Sequence, residues 1–487
     1  MTFNSWEFLL FYPIVAILYF ALPKKMKWPM LLIASYYFYM CYQPDLIYLI
    51  FATTLISWIS SRIIERTTSV GARRFWLTLT LVTSLGVLFF YKYFNFLSAS
   101  ASGIVGYFGG SADPLILDLV LPVGISFYTF QTLSYVIDVY RGDVKSEDNF
   151  FFYALFVSFF PQLVAGPIER PDNLIPQLRE PKRFNKDDAL KGAKHMLVGF
   201  IKKICVADTI SVYVNAVYNK PESASGIGVI IATALFAVQI YCDFSGYTDI
   251  AIGCARVMGI RLMQNFDHPY HATTIKEFWS RWHISLSSWF RDYLYIPLGG
   301  NRKGKVRRYV NLMIVFLVSG LWHGAAWTFV IWGAIHGVYQ IVGNLTYKPR
   351  NRLLSRIGLS ERSLGIVWLR RLGTFILVSF AWIFFRANSI ADAKLLLSRL
   401  FTSAGWQTPI AESVKGMGLT LVPILMTLAV IALLLLIDHM LTYDDSEDHS
   451  PVITHSGAFI YFVWVVFLVW ALLLSKDMTS TFIYFQF

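Results

Sequence analysis

Long apolar runs, separated by short polar segments, extend along the whole chain. A membrane-crossing helix needs about 20 mostly apolar residues. Runs that reach or approach this length are residues 5–22, 29–42, 45–61, 75–97, 119–140, 227–254, 372–385, 418–437 and 456–475. Charged residues, glycine or proline interrupt further apolar runs at 150–165, 196–218 and 309–346. The pattern therefore predicts an all-α polytopic membrane protein with roughly eleven or twelve transmembrane or re-entrant helices.

The composition agrees with many crossings rather than with one membrane anchor. Hydrophobic residues make up 56% and charged residues 15% of the 487 positions, whereas soluble domains carry about 25% charged residues. The first apolar run contains Glu7 and is followed by Pro23 instead of a small-residue cleavage site. We therefore interpret this run as the first transmembrane helix and not as a cleavable signal peptide.

Basic residues concentrate in short loops between the apolar runs and give the chain a formal net charge of +12. Residues 24–27 and 62–74 form basic loops, whereas residues 97–118 contain two aspartates and no lysine or arginine. Because cytoplasmic loops carry the excess of basic residues, this alternation places the N-terminus outside and both basic loops in the cytoplasm. The same distribution explains the positive charge without nucleic-acid binding.

The longest polar stretch, residues 167–195, is rich in lysine and arginine and is predicted to be cytoplasmic. Residues 141–149, just before the apolar run 150–165, are polar as well. That run is therefore predicted to enter the membrane and turn back at Pro161 and Gly166, where its irregular backbone must be buried in protein or line a cavity.

The sequence lacks the motifs of several common enzymes and metal sites. The cysteines at positions 41, 205, 242 and 254 do not have the spacing of a disulfide framework or a zinc site. The sequence contains no Gly-x-Ser-x-Gly nucleophile elbow, no Walker loop and no metal-binding histidine cluster. We therefore expect no metal, and the sequence does not support an ordinary hydrolase, an ATP-driven pump or a zinc enzyme.

Polar residues interrupt the apolar run 227–254, and they include Asp243 and Tyr247, which are candidates for substrate or donor binding. An ionisable group inside a membrane helix costs a few kcal/mol and often marks a functional site. A buried hydrogen-bond network that joins helices is the structural alternative, and the spacing alone favours that alternative.

Residues 264–308 combine tryptophan, tyrosine, arginine and histidine at high density. Candidate residues for substrate or donor binding are Trp279, Arg281, Trp282, Arg291, Asn301 and Arg302. This composition suits a segment that lines a wet cavity, and also an aromatic belt at the level of the lipid head groups. The basic residues 302–308 are either a topology signal or a site for the phosphates of coenzyme A, which arginine binds in bidentate fashion.

The apolar run 309–346 is too long for one transmembrane helix, because its 38 residues would extend about 57 Å. A break is predicted at 319–324, which places His323 at a helix end among small residues. Neutral imidazole accepts a proton near physiological pH, and a hydroxyl needs such a base before it attacks an acyl carbonyl. Capping a freed carbonyl is an equally good interpretation of this histidine from the sequence alone.

Segments along the whole chain resemble the membrane-bound O-acyltransferase family, specifically its alginate O-acetylation type. The matching segments are Leu121–Phe127 (LPVGISF), Ala165–Ile168 (AGPI), Asp243–Tyr247 (DFSGY), Phe278–His283 (FWSRWH), Tyr295–Asn301 (YIPLGGN), Leu321–Ala325 (LWHGA) and Phe482–Phe487 (FIYFQF). The resemblance implies helices around a central funnel or tunnel, with the family's catalytic histidine at His323 and its second histidine at His283.

The resemblance also implies partners and a location. It implies an acetyltransferase of the bacterial cytoplasmic membrane that takes an acetyl group from a cytoplasmic donor, either acetyl-CoA or an acyl carrier. No tightly bound cofactor is expected. An SGNH-type partner outside the cytoplasm would complete transfer to a polysaccharide. We expect one integral membrane domain, with N-terminal helices in 1–140, a core in 141–346 and C-terminal helices in 347–487.

Two alternatives remain open. A related branch transfers D-alanine from a carrier protein to teichoic acid. A transporter or channel without acyl-transfer chemistry would also explain many helices with polar groups inside the membrane, although transporters more often show repeated halves, and this chain shows no obvious internal repeat.

The charge pattern makes a prediction about topology. Residues 299–308 contain five basic residues and no acidic residue, so this loop is expected to face the cytoplasm. A cysteine introduced at Gly304 should react with a membrane-impermeant reagent only after permeabilisation. Labelling of the same cysteine in intact cells would contradict the proposed orientation.

Overall fold

A computed structural model of the chain describes residues 1–164, 166–443 and 451–453. The helices are α1 (Trp6–Ala21), α2 (Lys24–Met40), α3 (Ile47–Arg66), α4 (Val70–Leu88), α5 (Phe94–Tyr107), α6 (Ile125–Arg141), α7 (Phe150–Ser158), α8 (Phe160–Leu163), α9 (Pro171–Arg179), α10 (Lys186–Phe200), α11 (Thr209–Tyr218), α12 (Gly226–Val257), α13 (Ile275–Arg281), α14 (Ile284–Phe290), α15 (Gly304–His323), α16 (Trp327–Arg356), α17 (Leu364–Arg386), α18 (Ile390–Phe401), α19 (Ile410–Gly416) and α20 (Leu421–Met440). Two short antiparallel strands, β1 (Leu441–Tyr443) and β2 (Pro451–Ile453), follow.

The described chain is helical, as predicted, but few of its helices are single long spans. Among the described residues, four helical stretches are long and apolar enough to cross a membrane: Pro44–Arg66, Val70–Tyr107, Gly226–Val257 and Leu364–Arg386. A fifth span results if the bent pair Ile410–Gly416 and Leu421–Ala432 is counted as one. Other predicted runs form shorter or more polar helices, so the expected eleven or twelve full or partial crossings remain a prediction. The predicted run 456–475 lies outside the described residues.

The chain forms two compact units. The first consists of Met1–Leu197 and Tyr247–Met263, and the second of Val198–Gly246 and the described residues from Gln264 onward. The division of the sequence into one domain with three parts stays a prediction.

In the first unit, α3 packs through small polar side chains. Its buried residues include Thr53, Thr54, Ser57, Ser60 and Ser61, which recur on one side of the helix. Such residues allow close approach of membrane helices and form hydrogen bonds between them. The hydroxyls of Ser57 and Tyr153, which lies on α7, are 2.9 Å apart.

The apolar run 150–165 is broken, but the break lies at Phe159, before the turn predicted at Pro161 and Gly166. Helix α7 ends at Ser158, and Phe159 has φ −50° and ψ 111°, outside the helical region. The short helix α8 then begins at Phe160. The side-chain amides of Gln131 and Gln162 both donate to the Phe156 carbonyl, at 2.7 and 2.8 Å. These bonds satisfy a carbonyl that the broken helix leaves without its regular partner.

In the second unit, α15 and α16 approach each other through glycine. A Cβ on Gly333 would lie 2.3 Å from the Phe316 carbonyl oxygen, and a Cβ on Gly320 would lie 2.3 Å from the Phe329 carbonyl oxygen. Each helix therefore presents bare backbone to the other, and any side chain at these positions would force them apart. This close contact determines where His323, at the end of α15, lies relative to α16.

The Gly333→Ala variant should therefore unfold at a lower temperature. Overpacking typically costs about 1–3 kcal/mol, and here the clash is with rigid backbone. Gly343 is a matched control on the same helix, because a Cβ there would meet no atom within 4 Å. Gly343→Ala should be neutral or stabilising by up to about 1 kcal/mol. Equal thermal unfolding temperatures for the two variants in detergent would contradict the close packing.

Candidate active site

The candidate site is built on an irregular segment between α12 and α15. Two backbone hydrogen bonds of 2.9 Å join residues 265–267 to residues 281–284 in an antiparallel arrangement. The short helix α13 lies between these two segments in the sequence. The side chain of its N-cap residue Thr274 accepts a hydrogen bond of 3.1 Å from the Glu277 N–H. The segment thus supplies its own partners for backbone groups that a continuous helix would have satisfied internally.

His283 lies at the N-cap of α14 in a conformation that non-glycine residues rarely adopt. Its φ is 46° and its ψ is 56°, in the left-handed region. Its side chain is completely buried. A residue of this kind persists only when surrounding contacts determine its position, and such residues cluster at functional sites.

Asn265 is the contact that determines the orientation of His283. The Asn265 Oδ1 lies 3.0 Å from His283 Nδ1 and also accepts hydrogen bonds from the N–H (3.3 Å) and hydroxyl (3.0 Å) of Ser285. Because an amide oxygen only accepts, His283 Nδ1 must carry the proton. The proton-accepting lone pair of the neutral ring is therefore on Nε2.

Burial also keeps His283 neutral. This segment lies outside the helices that are long and apolar enough to cross a membrane. Removal of the ring from water lowers the pKa of His283 to about 3, because desolvation disfavours the imidazolium form. His283 is therefore uncharged at physiological pH.

His323 is the last residue of α15, and the helix breaks immediately after it. Residues 324–326 are not helical, and α16 begins at Trp327, so the break predicted from the length of the run is confirmed. The His323 ring is buried and contacts Trp332 edge-on, with ring centroids 4.9 Å apart. Phe385, on α17, contacts the same ring at 5.4 Å.

The two predicted histidines lie together although they are 40 positions apart in the sequence. The centroids of the His283 and His323 rings are 6.4 Å apart, and Trp322 packs against both rings. Phe244 also contacts the His283 ring, with ring centroids 4.7 Å apart. The pair is thus enclosed by aromatic rings, which exclude water and strengthen electrostatic interactions within the enclosure.

The predicted tryptophans form part of this aromatic environment. Trp282 is fully buried and stacks on Phe278 with centroids 5.5 Å apart. The Trp279 Nε1–H donates a hydrogen bond of 3.2 Å to Nδ1 of His336 on α16. His336 is fully buried, and this bond joins α13 to α16. Both tryptophans therefore have packing roles, and substrate binding by them stays a prediction.

Asp243 is held in a buried ion-pair network. The Lys203 Nζ lies 2.6 Å from Asp243 Oδ1 and 2.8 Å from Asp208 Oδ1, and all three side chains are buried. Lys203 and Asp208 lie on the π-helical segment Ile201–Asp208, in which residues five apart are aligned. This agrees with the buried network considered from the sequence. A role of Asp243 in donor binding stays a prediction.

The other predicted residues have surroundings of their own. Arg281 is paired with Asp267 (3.2 Å) and Glu277 (3.1 Å). Arg291 is exposed, and its Nε lies 2.8 Å from Oδ1 of its neighbour Asp292. Asn301 and Arg302 are exposed in the turn before α15. Tyr247 belongs to the first unit, where its ring stacks on Phe3 with centroids 4.5 Å apart. Their assignment to the site stays a prediction.

The structure adds residues that the sequence interpretation missed. Asn265 orients His283, Lys203 neutralises Asp243, and His336 anchors Trp279. The rule that selected Asp243, a charge within an apolar run, also applies to Lys203 in the run 196–218. Within the described part of the chain, no group of three or more His, Cys, Asp or Glu side chains is arranged to hold a metal ion.

Comparison with known proteins gives a consistent result. Residues 145–385 match the membrane-bound O-acyltransferase family. The chain is 36% identical over 503 residues to "Probable alginate O-acetylase AlgI" of Pseudomonas putida, with 100% of each chain covered. It is 39% identical to the protein of the same name in Pseudomonas aeruginosa (84% of this chain, 76% of the relative). It is 33% identical to "Peptidoglycan O-acetyltransferase" of Helicobacter pylori (82% and 79%).

The contact between Asn265 and His283 predicts coupled effects on acyl transfer. Asn265→Ala removes the acceptor that fixes the ring, so it should reduce the rate of ester formation in isolated membranes by on the order of tenfold or more. Because both residues act through one hydrogen bond, Asn265→Ala combined with His283→Ala should be no slower than His283→Ala alone. If the rate reduction of the double variant equals the product of the two single reductions, Asn265 acts through a different contact.

Proposed function

Because this chain belongs to the membrane-bound O-acyltransferase family, we propose that it transfers an acetyl group from a cytoplasmic donor for O-acetylation of a polysaccharide outside the cytoplasm. The chain is an O-acyltransferase and an integral membrane protein. The observation that carries the proposal is the buried pair of neighbouring histidines, one at a helix break and one held in a defined tautomer. Such a pair suits proton transfer during acyl transfer.

In the proposed reaction, His323 acts as the general base. Its imidazole takes the proton from an acceptor hydroxyl while the hydroxyl oxygen attacks the carbonyl carbon of the acetyl thioester. The C–O bond forms, the C–S bond breaks, and the proton on His323 passes to the departing thiolate. One ester and one free thiol are produced, so no other reactant is needed. The aromatic enclosure supports this role because a dry site protects the thioester from water.

His283 is proposed to position the reacting group. Its Nε2 carries the lone pair, because Nδ1 donates to Asn265. It can therefore accept a hydrogen bond from a second donor group of the acceptor, because the single proton of the attacking hydroxyl goes to His323, and so direct the attacking oxygen at the carbonyl. The 6.4 Å between the ring centroids lets both rings contact one small group. Orientation of this kind contributes to the rate by presenting reactants in a near-attack geometry.

The donor and partners are proposed from chemistry and from the relatives. Acetyl-CoA is the proposed donor, since it supplies an activated acetyl thioester in the cytoplasm. The relatives' names state O-acetylation of alginate and of peptidoglycan, which supports a polysaccharide acceptor here. Both glycans lie outside the cytoplasm, so we place the chain in the cytoplasmic membrane. An SGNH-type partner outside the membrane is proposed to complete transfer to the glycan.

Replacement of the proposed base tests this function. His323→Ala should lower the rate of acetyl-ester formation by on the order of 10²–10⁴-fold, which is typical for loss of a general base. The rate would be measured in membranes that contain the chain, its partner and acetyl-CoA, with the glycan esters determined by NMR. Protein amount and elution in detergent should stay close to wild type.

His271→Ala is the matched control. His271 is exposed and lies in the same irregular segment, and its carbonyl, not its side chain, accepts a hydrogen bond from Arg371. This variant should retain the wild-type rate. A well-folded His323→Ala protein with wild-type activity would rule out the mechanism and favour a transporter. Ester formation only from a D-alanyl carrier, and not from acetyl-CoA, would favour the teichoic-acid alternative.

A further inference from the structure

A charged cleft of about 780 Å³ lies in the first unit. It is formed by the beginning of α2, by residues 147–152 around the start of α7, and by residues 179–183 at the end of α9. The charge pattern predicts that the α1–α2 loop and the segment after α9 are both cytoplasmic. The cleft is therefore expected at the cytoplasmic membrane surface. Its volume is in the usual range for a small-molecule site.

Positive charge exceeds negative charge in this cleft. Its lining includes two acidic side chains, and one of them, Glu147, pairs with Arg179. The cations that remain are Lys24, Lys25, Lys182 and Arg183. Within the described part of the chain, none of these four forms an ion pair. Four cations that face one cavity repel each other, and an anion in the cavity would relieve that repulsion.

The start of α2 adds to this preference for an anion. Lys24 and Lys25 are in the first turn of the helix, its N-cap is Pro23, and no side chain caps it. Lysine in a first turn is unfavourable, because the helix dipole already places positive charge there. Backbone N–H groups without a cap are also hydrogen-bond donors for a bound anion.

Contacts that do not use the charged groups of these four cations hold the walls of the cleft in place. The Lys27 Nζ donates a hydrogen bond of 3.3 Å to the Lys182 carbonyl and so joins α2 to the segment after α9. The guanidinium of Arg179 lies 5.3 Å from the Phe152 ring centroid, and Trp28 packs on the same ring at 5.7 Å. The cleft is thus organised before any ligand enters it, which lowers the cost of binding.

We propose that this cleft binds a phosphate group at the cytoplasmic face of the membrane. Phosphate matches several lysine and arginine donors at once, because its oxygens accept many hydrogen bonds. Two sources supply such a group there: the head group of an anionic phospholipid and the adenosine bisphosphate part of coenzyme A. The site does not depend on the acyl-transfer chemistry proposed above.

The position of the cleft favours the phospholipid as the source. Exposed apolar side chains flank the lining of the cleft: Phe151 on α7 precedes the lining residue Phe152, and Phe184 follows the lining residue Arg183. Apolar residues exposed on a membrane helix contact lipid chains. A head group in the cleft would therefore leave its acyl chains beside an apolar surface. Basic pockets beside membrane helices on the cytoplasmic side are suited to such head groups.

The test uses the purified full chain in detergent and two probes, phosphatidylglycerol and adenosine 3′,5′-bisphosphate. The variant Lys182→Gln with Arg183→Gln should weaken binding of phosphatidylglycerol by on the order of tenfold or more. Phosphatidylcholine, whose net charge is zero, should bind weakly to wild type and variant alike. Binding would be measured by native mass spectrometry and by the lipid-dependent rise in thermal unfolding temperature.

The matched control is Lys186→Gln with Lys191→Gln, which removes the same charge from the same polar stretch but outside the cleft. It should bind both probes like wild type. The conservative variant Lys182→Arg with Arg183→Lys should retain binding. If only adenosine 3′,5′-bisphosphate is lost from the cleft variant, the phosphate site is supported and its source is the nucleotide. If neither probe distinguishes the cleft variant from the control, the proposal is wrong.

Discussion

The hydrogen bonds of the Asn265 side chain hold the candidate site together. Backbone that leaves a helix within an apolar interior must find partners inside the protein, because water is not there to supply them. The segment around His283 meets this constraint through one amide oxygen that accepts from the His283 ring and from both the N–H and the hydroxyl of Ser285. This acceptor therefore offsets part of the cost of the left-handed conformation of His283.

The same constraint explains why several charged residues serve structure before they serve chemistry. An uncompensated charge in the interior costs several kcal/mol, so Asp243 and Asp208 are held around Lys203. Arg281 is likewise neutralised by two carboxylates. The cations of the charged cleft differ because they line one cavity and outnumber its two acidic side chains. The presence of a charge therefore identifies a site less reliably than the balance of charge around it.

Packing of α15 on α16 positions the second histidine. Gly320 and Gly333 bring the two backbones into contact, and the break after His323 turns its ring toward the aromatic side chains of α16 and α17. The chain changes direction where α15 ends, and the contact between Gly320 and Gly333 determines where that end lies. The rigidity of the histidine pair thus comes from backbone contact and aromatic packing rather than from ionic interactions.

The sequence by itself determined the helical membrane class, the broken runs at 150–165 and 309–346, and the two histidines as the residues to examine. These conclusions depend on local properties: hydrophobic length, proline and glycine, and motifs of neighbouring residues. Only the tertiary structure decided that Asn265 orients His283, that Lys203 neutralises Asp243, and that Asn301 and Arg302 lie in an exposed turn. Each of these contacts depends on how distant segments pack, and hydrophobic periodicity specifies the buried face of a helix but not the residue that will meet it.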